Sequence, residues 1–292
     1  MGAIFIYYLI AGLSNITMSM ERIRVAVAGA RGRMGSQMVK SIMANPAMEL
    51  VAGFDPAGIG TQLAPGLEIS SPIAMDEVLK EVKPLVLVDF TNADAAVENV
   101  KVAARNRVKL VIGTTGFSDA QFDELEAAIK DTVPAIISPN FSIGVNIFWR
   151  LVGEAAKLLQ PYHYHAEVIE MHHAHKKDAP SGTAKKAAEI IARYMGTGTG
   201  EEHFVYGRQG MTGERTEEEI GIHAVRAGDI VGDHTVLFAG IGERLELTHR
   251  ANSREAFAQG ALKAIEWIST KEECGLYTME DMMRELVWKS KN

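Results

Sequence analysis

The chain has 292 residues, 47% hydrophobic and 23% charged, with 37 acidic against 30 basic side chains for a formal charge of −7. This excludes a disordered tail, a collagen and an integral membrane bundle, and the acidic balance with only 7% aromatic residues argues against a nucleic-acid binder. A single cysteine, Cys274, allows no intrachain disulfide and fits a reducing cytoplasm, while the length fits one large or two ordinary domains.

Met1 to Met20 carries no charged side chain. Its apolar run, Ala3 to Leu13, is eleven residues long, short of the ~20 that span a bilayer. It has no basic start and no small-residue cleavage site. The expectation is an upstream mis-assigned start, since Met18 and Met20 stand just before ERIRVAVAG; a membrane-touching anchor is the alternative. Residues 1–20 are set apart from the fold.

From Arg22 onward, short apolar runs alternate with helical periods. Ile23 to Ala28 reads as a buried strand, and Met34, Met38 and Ile42 then recur on one helix face. Met48 to Phe54 is a second strand, closing on Asp55-Pro56, and Pro84 to Phe90 a third, followed by a helix around Ala93 to Arg105. Lys109 to Ile112 is a fourth strand, Ser118 to Lys130 a helix with Ser118 as N-cap, and Ala135 to Ile137 a fifth strand. The alternation predicts a doubly wound parallel sheet covered on both faces over residues 21–143.

The pattern then changes. A long helix over about Val145 to Leu159 leads into a strand at Ala166 to Met171 and, beyond a dense histidine stretch, a second helix that stops at Gly196. Ile220 to Val225, Ile230 to Ala239 and Arg244 to Thr248 then follow one another, separated by turn signals at Ala227-Gly228-Asp229 and Gly240 to Gly242. This reads as a meander in an α+β domain with a mixed or antiparallel sheet, over residues 144–252. Helices return at Arg254 to Ile268 and Met279 to Val287, and residues 253–292 are expected to rejoin the first domain.

Gly29-Ala30-Arg31-Gly32-Arg33-Met34-Gly35 joins the first strand to the first helix. A dinucleotide site needs such a turn: glycine lets the backbone approach a pyrophosphate, and the helix N-terminus offers N–H groups to the phosphates. The spacing is G-x-x-G-x-x-G rather than G-x-G-x-x-G, so a plain tight turn is the competing reading, but the strand–turn–helix context favours a dinucleotide. Asp55, twenty residues after Gly35, is placed to accept ribose hydroxyls; otherwise it is a turn residue at a strand end. Pro56 has no charge to bind a 2′-phosphate, which favours NADH over NADPH, although Arg31 or Arg33 can partly compensate. Gly113-Thr114-Thr115-Gly116 and Ser138-Pro139-Asn140-Phe141 lie at further strand carboxyl ends, where an open parallel sheet binds its ligand.

Five of the nine histidines fall between His163 and His175. The stretch Glu170-Met171-His172-His173-Ala174-His175-Lys176-Lys177-Asp178-Ala179-Pro180-Ser181-Gly182-Thr183 admits three readings. A metal site lacks cysteine or H-E-x-x-H spacing, so none is expected. A solvated charged loop is the plain alternative. The third is an acid–base site for a small anion: Ser181-Gly182-Thr183 opens a helix whose N-terminus offers donors to a carboxylate, and histidines and lysines stand just upstream.

EMHHAHKKDAPSGTA resembles the signature of the dihydrodipicolinate reductase family, now called 4-hydroxy-tetrahydrodipicolinate reductases. VAVAGARGRMG, VDFT, VIGTTGF, PNFSIGVN, RAGDIVGDHTV and GERLELTHRA resemble further segments of that family, in its order, from about Ile23 onward. The resemblance implies a Rossmann-type cofactor domain, an α+β substrate and oligomerisation domain, and NAD(P)H-dependent reduction of a cyclic dicarboxylate in the diaminopimelate route to lysine. It implies His172 as proton donor/acceptor, Lys176 as a second proton donor, and His173, Gly182 and Thr183 as holders of substrate carboxylates. It matches Gly29 to Met34, Asp55, Gly113 to Thr115 and Ser138 to Phe141 to cofactor contacts, and implies a homotetramer without nucleic-acid or membrane partners. Pro56 stands where NADPH-using members of the family carry an arginine, Arg31 takes a glycine-loop position often filled by glycine, and residues 1–20 are not a family feature. Other pathway reductases are weaker readings: an aspartate-semialdehyde type needs a catalytic cysteine, and Cys274 lies in the tail. A dinucleotide-sensing module without turnover would not need a proton donor.

Overall fold

In the computed structural model, which describes residues 21–195 and 201–289, the chain forms two sheets. The extension 1–20 and the helix stop at Gly196 lie outside the described residues. The first part runs β1 (Ile23–Ala28), α1 (Arg33–Ala44), β2 (Met48–Phe54), β3 (Gln62–Ala64), β4 (Leu67–Ser70), α2 (Met75–Val82), β5 (Val86–Asp89), α3 (Ala93–Arg105), β6 (Lys109–Ile112), α4 (Asp119–Ile129) and β7 (Pro134–Ile137). Its strand order is β13-β7-β6-β5-β1-β2-β4-β3, where β13 (Gly275–Tyr277) comes from the end of the chain. All neighbours are parallel except the β3–β4 pair.

Strands covered on both faces must be apolar throughout, and β1, β5 and β6 contribute Val25 to Val27, Val86 to Val88 and Leu110 to Ile112, all fully buried. One face packs Val25, Val27, Val86 and Val88 against Met38 and Ile42 of α1 and against Ala261 and Ile265 of α7 (Glu255–Ser269). The other packs Ala26, Leu87 and Leu110 against Leu79, Val100 and Leu125 of α2, α3 and α4. Ser118 begins α4 with a capping box, its hydroxyl accepting from the Gln121 N–H and the Gln121 side chain accepting in return from the Ser118 N–H. The chain leaves β1 toward β2 on one side, and β5 flanks β1 on the other, so the order reverses at the β1–β5 junction, where an open sheet forms its ligand crevice.

The second part runs α5 (Ile143–Leu159), β8 (His165–His172), α6 (Gly182–Met195), β9 (Phe204–Tyr206), β10 (Ile220–Arg226), β11 (Gly232–Gly240) and β12 (Glu243–Ala251). After it come α7, β13 and α8 (Met279–Lys289). The second sheet has the order β12-β11-β8-β10-β9, with α5 and α6 packed on one face around Trp149, Val168, Ile191 and Phe238. The expected meander is therefore corrected. β11 and β12 form an antiparallel hairpin, but β10 runs parallel to β8, which separates it from β11. The reason is local: the turn at Ala227-Gly228 bonds to the end of β8 rather than closing on itself. Ala227 N–H donates to the His172 carbonyl (2.9 Å) and Ala174 N–H to the Gly228 carbonyl (3.1 Å), so the turn arches over β8.

Candidate active site

Gly29 ends β1 in the left-handed region at φ +75°, and a Cβ there would lie 2.6 Å from the Phe90 carbonyl oxygen. A Cβ on Gly35, in the first turn of α1, would lie 1.9 Å from the Gly29 carbonyl oxygen. The turn is thus folded tightly between β1, β5 and α1, as only glycine allows. Gly32 caps α1 without a side-chain hydrogen bond, which leaves the first-turn N–H groups unengaged by side chains. Ala30 is buried, Met34 half-buried, and Arg31, Gly32 and Arg33 are exposed. Asp55 is buried at the end of β2 and accepts from the Arg31 and Ala57 N–H groups, both at 2.9 Å. The Arg31 guanidinium donates to Thr61 Oγ1 at 3.3 Å and lies against Gly58.

Asp89, fully buried at the end of β5, gathers the neighbouring loops. Its carboxylate accepts from Thr91 N–H (3.0 Å), Thr91 Oγ1 (2.7 Å), Thr114 Oγ1 (2.7 Å) and Asn99 Nδ2 (2.8 Å). Thr114 is buried by this network, Gly113 packs on the Phe90 ring, and Thr115 is exposed. After β7, Ser138 Oγ donates to the Asn140 carbonyl at 2.7 Å, Pro139 is exposed, and Phe141 is buried edge-to-face with Phe90.

The histidine stretch begins on β8 and ends on α6. Residues i and i+2 of a strand share a face, so Glu170 and His172 both point inward, at 0% and 9% exposure. His172 Nδ1 lies 2.6 Å from Glu170 Oε2. Arg226, at the end of β10, donates from Nη1 to Oε2 and from Nη2 to Oε1, both at 2.8 Å, and Ser181 N–H donates to Oε1 at 2.9 Å. Burial pushes the Glu170 carboxyl up, but hydrogen bonds from His172, Arg226 and Ser181 outweigh it and hold it at about 2. His234 of β11 meets His172 edge-to-face at 5.2 Å and Ser181 Oγ at 3.0 Å; burial, reinforced by His172, brings it down to about 3.

The pKa of the half-buried His173 is lowered by burial first, then by Arg254, His172, His175 and Arg33. Lys176 Nζ donates to Asp178 at 2.9 Å. Gly182 is exposed with nothing within 4 Å of its would-be Cβ. Thr183 Oγ1 accepts from Asn140 Nδ2 at 3.2 Å, and its carbonyl accepts from Trp149 Nε1 at 3.1 Å. The Asn140–Thr183 bond joins the loop after β7 to the start of α6, so the two halves of the motif set meet. Sequence reasoning missed Glu170, Arg226 and His234 as parts of the site. Strand periodicity from His172 points to Glu170; Arg226 and His234 stand in the segment RAGDIVGDHTV, but nothing in it ties them to His172, which they reach through sheet pairing.

Residues 23–141 match the family described as "Dihydrodipicolinate reductase, N-terminus", and residues 144–283 match "Dihydrodipicolinate reductase, C-terminus". A 4-hydroxy-tetrahydrodipicolinate reductase of Methanocaldococcus jannaschii is 54% identical over 275 residues, covering 89% of this chain and 97% of that protein. One of Methanosphaera stadtmanae is 49% identical over 272 residues, covering 89% and 99%. Among solved structures, the dipicolinate-bound dihydrodipicolinate reductase from Paenisporosarcina sp. TG-14 superposes with a TM-score of 0.70 at 30% identity, covering 88% of this chain and 97% of that one.

Proposed function

The chain belongs to the dihydrodipicolinate reductase family, and from that premise we propose how its residues carry out the reaction. It is an oxidoreductase that reduces 4-hydroxy-tetrahydrodipicolinate to tetrahydrodipicolinate with a nicotinamide dinucleotide, in the diaminopimelate route to lysine. The residues present fit that cofactor: the Gly29–Gly35 turn folds tightly against β5 and α1, which leaves exposed backbone at Arg31 to Arg33 leading into a helix N-terminus that no side chain caps. When bound, the cofactor supplies the hydride.

In this reading the cradle from Gly29 to Met34 holds the pyrophosphate, Asp55 the adenosine ribose, and Gly113 to Thr115 with Ser138 to Phe141 the nicotinamide end. His173, Gly182 and Thr183 hold the carboxylates of the small dicarboxylate substrate at the N-terminus of α6. His172 gives the proton that the reduced ring takes up, and Lys176, drawn from Asp178 to the substrate, is a second donor. The observation that carries the reading is the Asn140–Thr183 hydrogen bond, because it sets the cofactor-side loop against the substrate-side helix. For the cofactor we favour NADH, with NADPH tolerated. Asp55 is a buried acid beside the adenosine ribose position, and the Arg31 guanidinium next to it offers a counter-charge to a 2′-phosphate.

The proposal extends to organisation. Residues 21–143 with 253–292 form the cofactor domain and 144–252 the substrate and oligomerisation domain; β13 and α7 pack on the first sheet. Four copies assemble through the second sheet, whose face opposite α5 and α6 carries Ile169, Met171, Val225 and Leu237 partly open. We place the enzyme in the cytoplasm, consistent with the exposed free thiol of Cys274. The test is oxidation of NADH and of NADPH with the cyclic substrate generated in situ from pyruvate and aspartate semialdehyde. Turnover with NADH is expected; no oxidation of either cofactor would overturn the reading.

A further inference from the structure

The proposed mechanism leaves Glu170, fully buried beside His172, without a task. Three of the contacts around its carboxylate come from groups that only donate: Arg226 Nη1, Arg226 Nη2 and Ser181 N–H. Arg226 is itself fixed, since Nη2 also donates to the Asp178 carbonyl at 2.6 Å. A carboxylate in such a cage carries no proton, so it is an acceptor toward its fourth contact as well. The 2.6 Å approach of His172 Nδ1 to Oε2 is then a hydrogen bond only if Nδ1 is the donor. The other ring nitrogen is free: among the described residues no hydrogen bond engages His172 Nε2. The backbone opposite it is Gly232, whose Cβ, if present, would sit 3.0 Å from that atom. His234 does not reverse this order, because its ring meets His172 edge-on and its Nε2 is turned to Ser181 Oγ.

We infer that Glu170, clamped by Arg226, is a positioning residue that fixes neutral His172 as the Nδ1–H tautomer and so makes Nε2 the atom that exchanges the proton with substrate. The inference rests on the acid–base role proposed for His172. In the step itself, the Nε2–H bond of the doubly protonated ring breaks and the proton passes to the substrate ring. The electron pair stays on Nε2, leaving His172 with its proton at Nδ1. A buried carboxylate that holds an imidazole by one nitrogen leaves the other aligned for transfer, and the wrong tautomer is costly even where geometry survives.

The test uses the full chain labelled with ¹⁵N-histidine and magic-angle-spinning NMR at alkaline pH, the His172 signal being identified by its loss in His172→Gln. The wild type is expected to show Nδ1 protonated and Nε2 bare. In Glu170→Gln the side-chain amide sets an NH₂ donor among groups that all donate, so the His172 tautomer is expected to invert. There kcat should fall by roughly 10²-fold or more while KM for NADH stays unchanged. Circular dichroism and gel filtration establish that the variant is folded, and the wild-type spectrum tests the inference even if it is not. An Nε2–H signal in the wild type, or undiminished kcat in folded Glu170→Gln, overturns the inference. Normal turnover in His172→Ala is a different failure, which removes the acid–base role of His172 while leaving the tautomer measurement intact.

Discussion

His172 and Lys176 carry the sharpest expectations at the scale of single residues. His172→Ala should lower kcat by roughly 10²–10⁴-fold with NADH affinity retained, as loss of a positioned proton donor does; steady-state kinetics and cofactor titration check it. Lys176→Ala should lose kcat comparably, and a normal rate there would reduce Lys176 to a partner of Asp178. Asp89 predicts a different signature. Asp89→Ala leaves the buried donors of Thr114 and Asn99 unmatched, at a cost of about 1–3 kcal/mol, while the Thr91 N–H keeps Thr114 Oγ1 as a partner. It also frees the Thr114–Thr115 loop, so KM for the dinucleotide should rise while the substrate carboxylates are still held. His172, His173, Lys176, Gly182 and Thr183 were recognisable as a proposed site because they lie within one short stretch of chain. Arg226 and His234 were not, because they stand 54 and 62 residues after His172 and reach it only by flanking β8.

Among the elements, the glycines separate close packing from ligand space. A methyl on Gly35 would meet the Gly29 carbonyl at 1.9 Å, and one on Gly260 in α7 would meet the Phe141 carbonyl at 1.8 Å. Both contacts are with backbone, so Gly35→Ala and Gly260→Ala should each destabilise by about 1–3 kcal/mol, read as a lowered thermal midpoint. Gly182→Ala meets nothing within 4 Å. It should leave the melting temperature nearly unchanged and raise KM for the substrate alone, if that space belongs to a substrate carboxylate. Several apolar or amphipathic segments were read from their period: β1, β2, α3 and β6 begin and end where the sequence places them, whereas the eight-residue α2 was not anticipated and β12 extends three residues beyond its expected end. The short strands β3, β4, β9 and β13 were missed because they lie at or beside a sheet edge, partly exposed, and carry no continuous apolar run, unlike the equally short but fully buried β6. The supposed meander failed for a different reason. Periodicity reveals that β10 and β11 are strands, but their separation by β8 is decided by hydrogen bonds from Ala227 and Ala174.

Acid should destabilise the whole molecule, and the sign follows from the buried Glu170 and His234 and the half-buried Glu167. Glu170 and Glu167 are held at about 2 against an ordinary 4.5; at Glu167 the push of burial is outweighed by Arg208, His223 and Arg215. Folded-state values below the unfolded ones give stability that is present above pH 4.5 and is lost as pH falls toward 2. His234 is held neutral, at about 3 against 6.5, so the unfolded chain binds a proton first and stability drains as pH falls below 6.5. Thermal melts should therefore be flat above neutral pH, decline from about 6.5 and steepen below about 4.5; rising stability on acidification would contradict the buried arrangement. Sedimentation tests the proposed assembly, which predicts a tetramer. Charge substitutions at Met171 and Leu237 on the open sheet face should dissociate it.

By itself, the sequence determined the parallel cofactor sheet, the glycine turn and the histidine–lysine stretch, because each is written in local period, spacing or adjacency along the chain. Tertiary structure alone decided which groups surround His172. Glu170 is buried with its charge because Arg226 from β10 and the start of α6 converge on it, and that convergence depends on β8 lying between β10 and β11. The cationic cluster His172 to Lys177 within a −7 chain was visible as composition. That its first member, His172, is held by an ionised carboxylate follows from sheet pairing, since a carboxylate deep in the core requires donors from several separate elements at once.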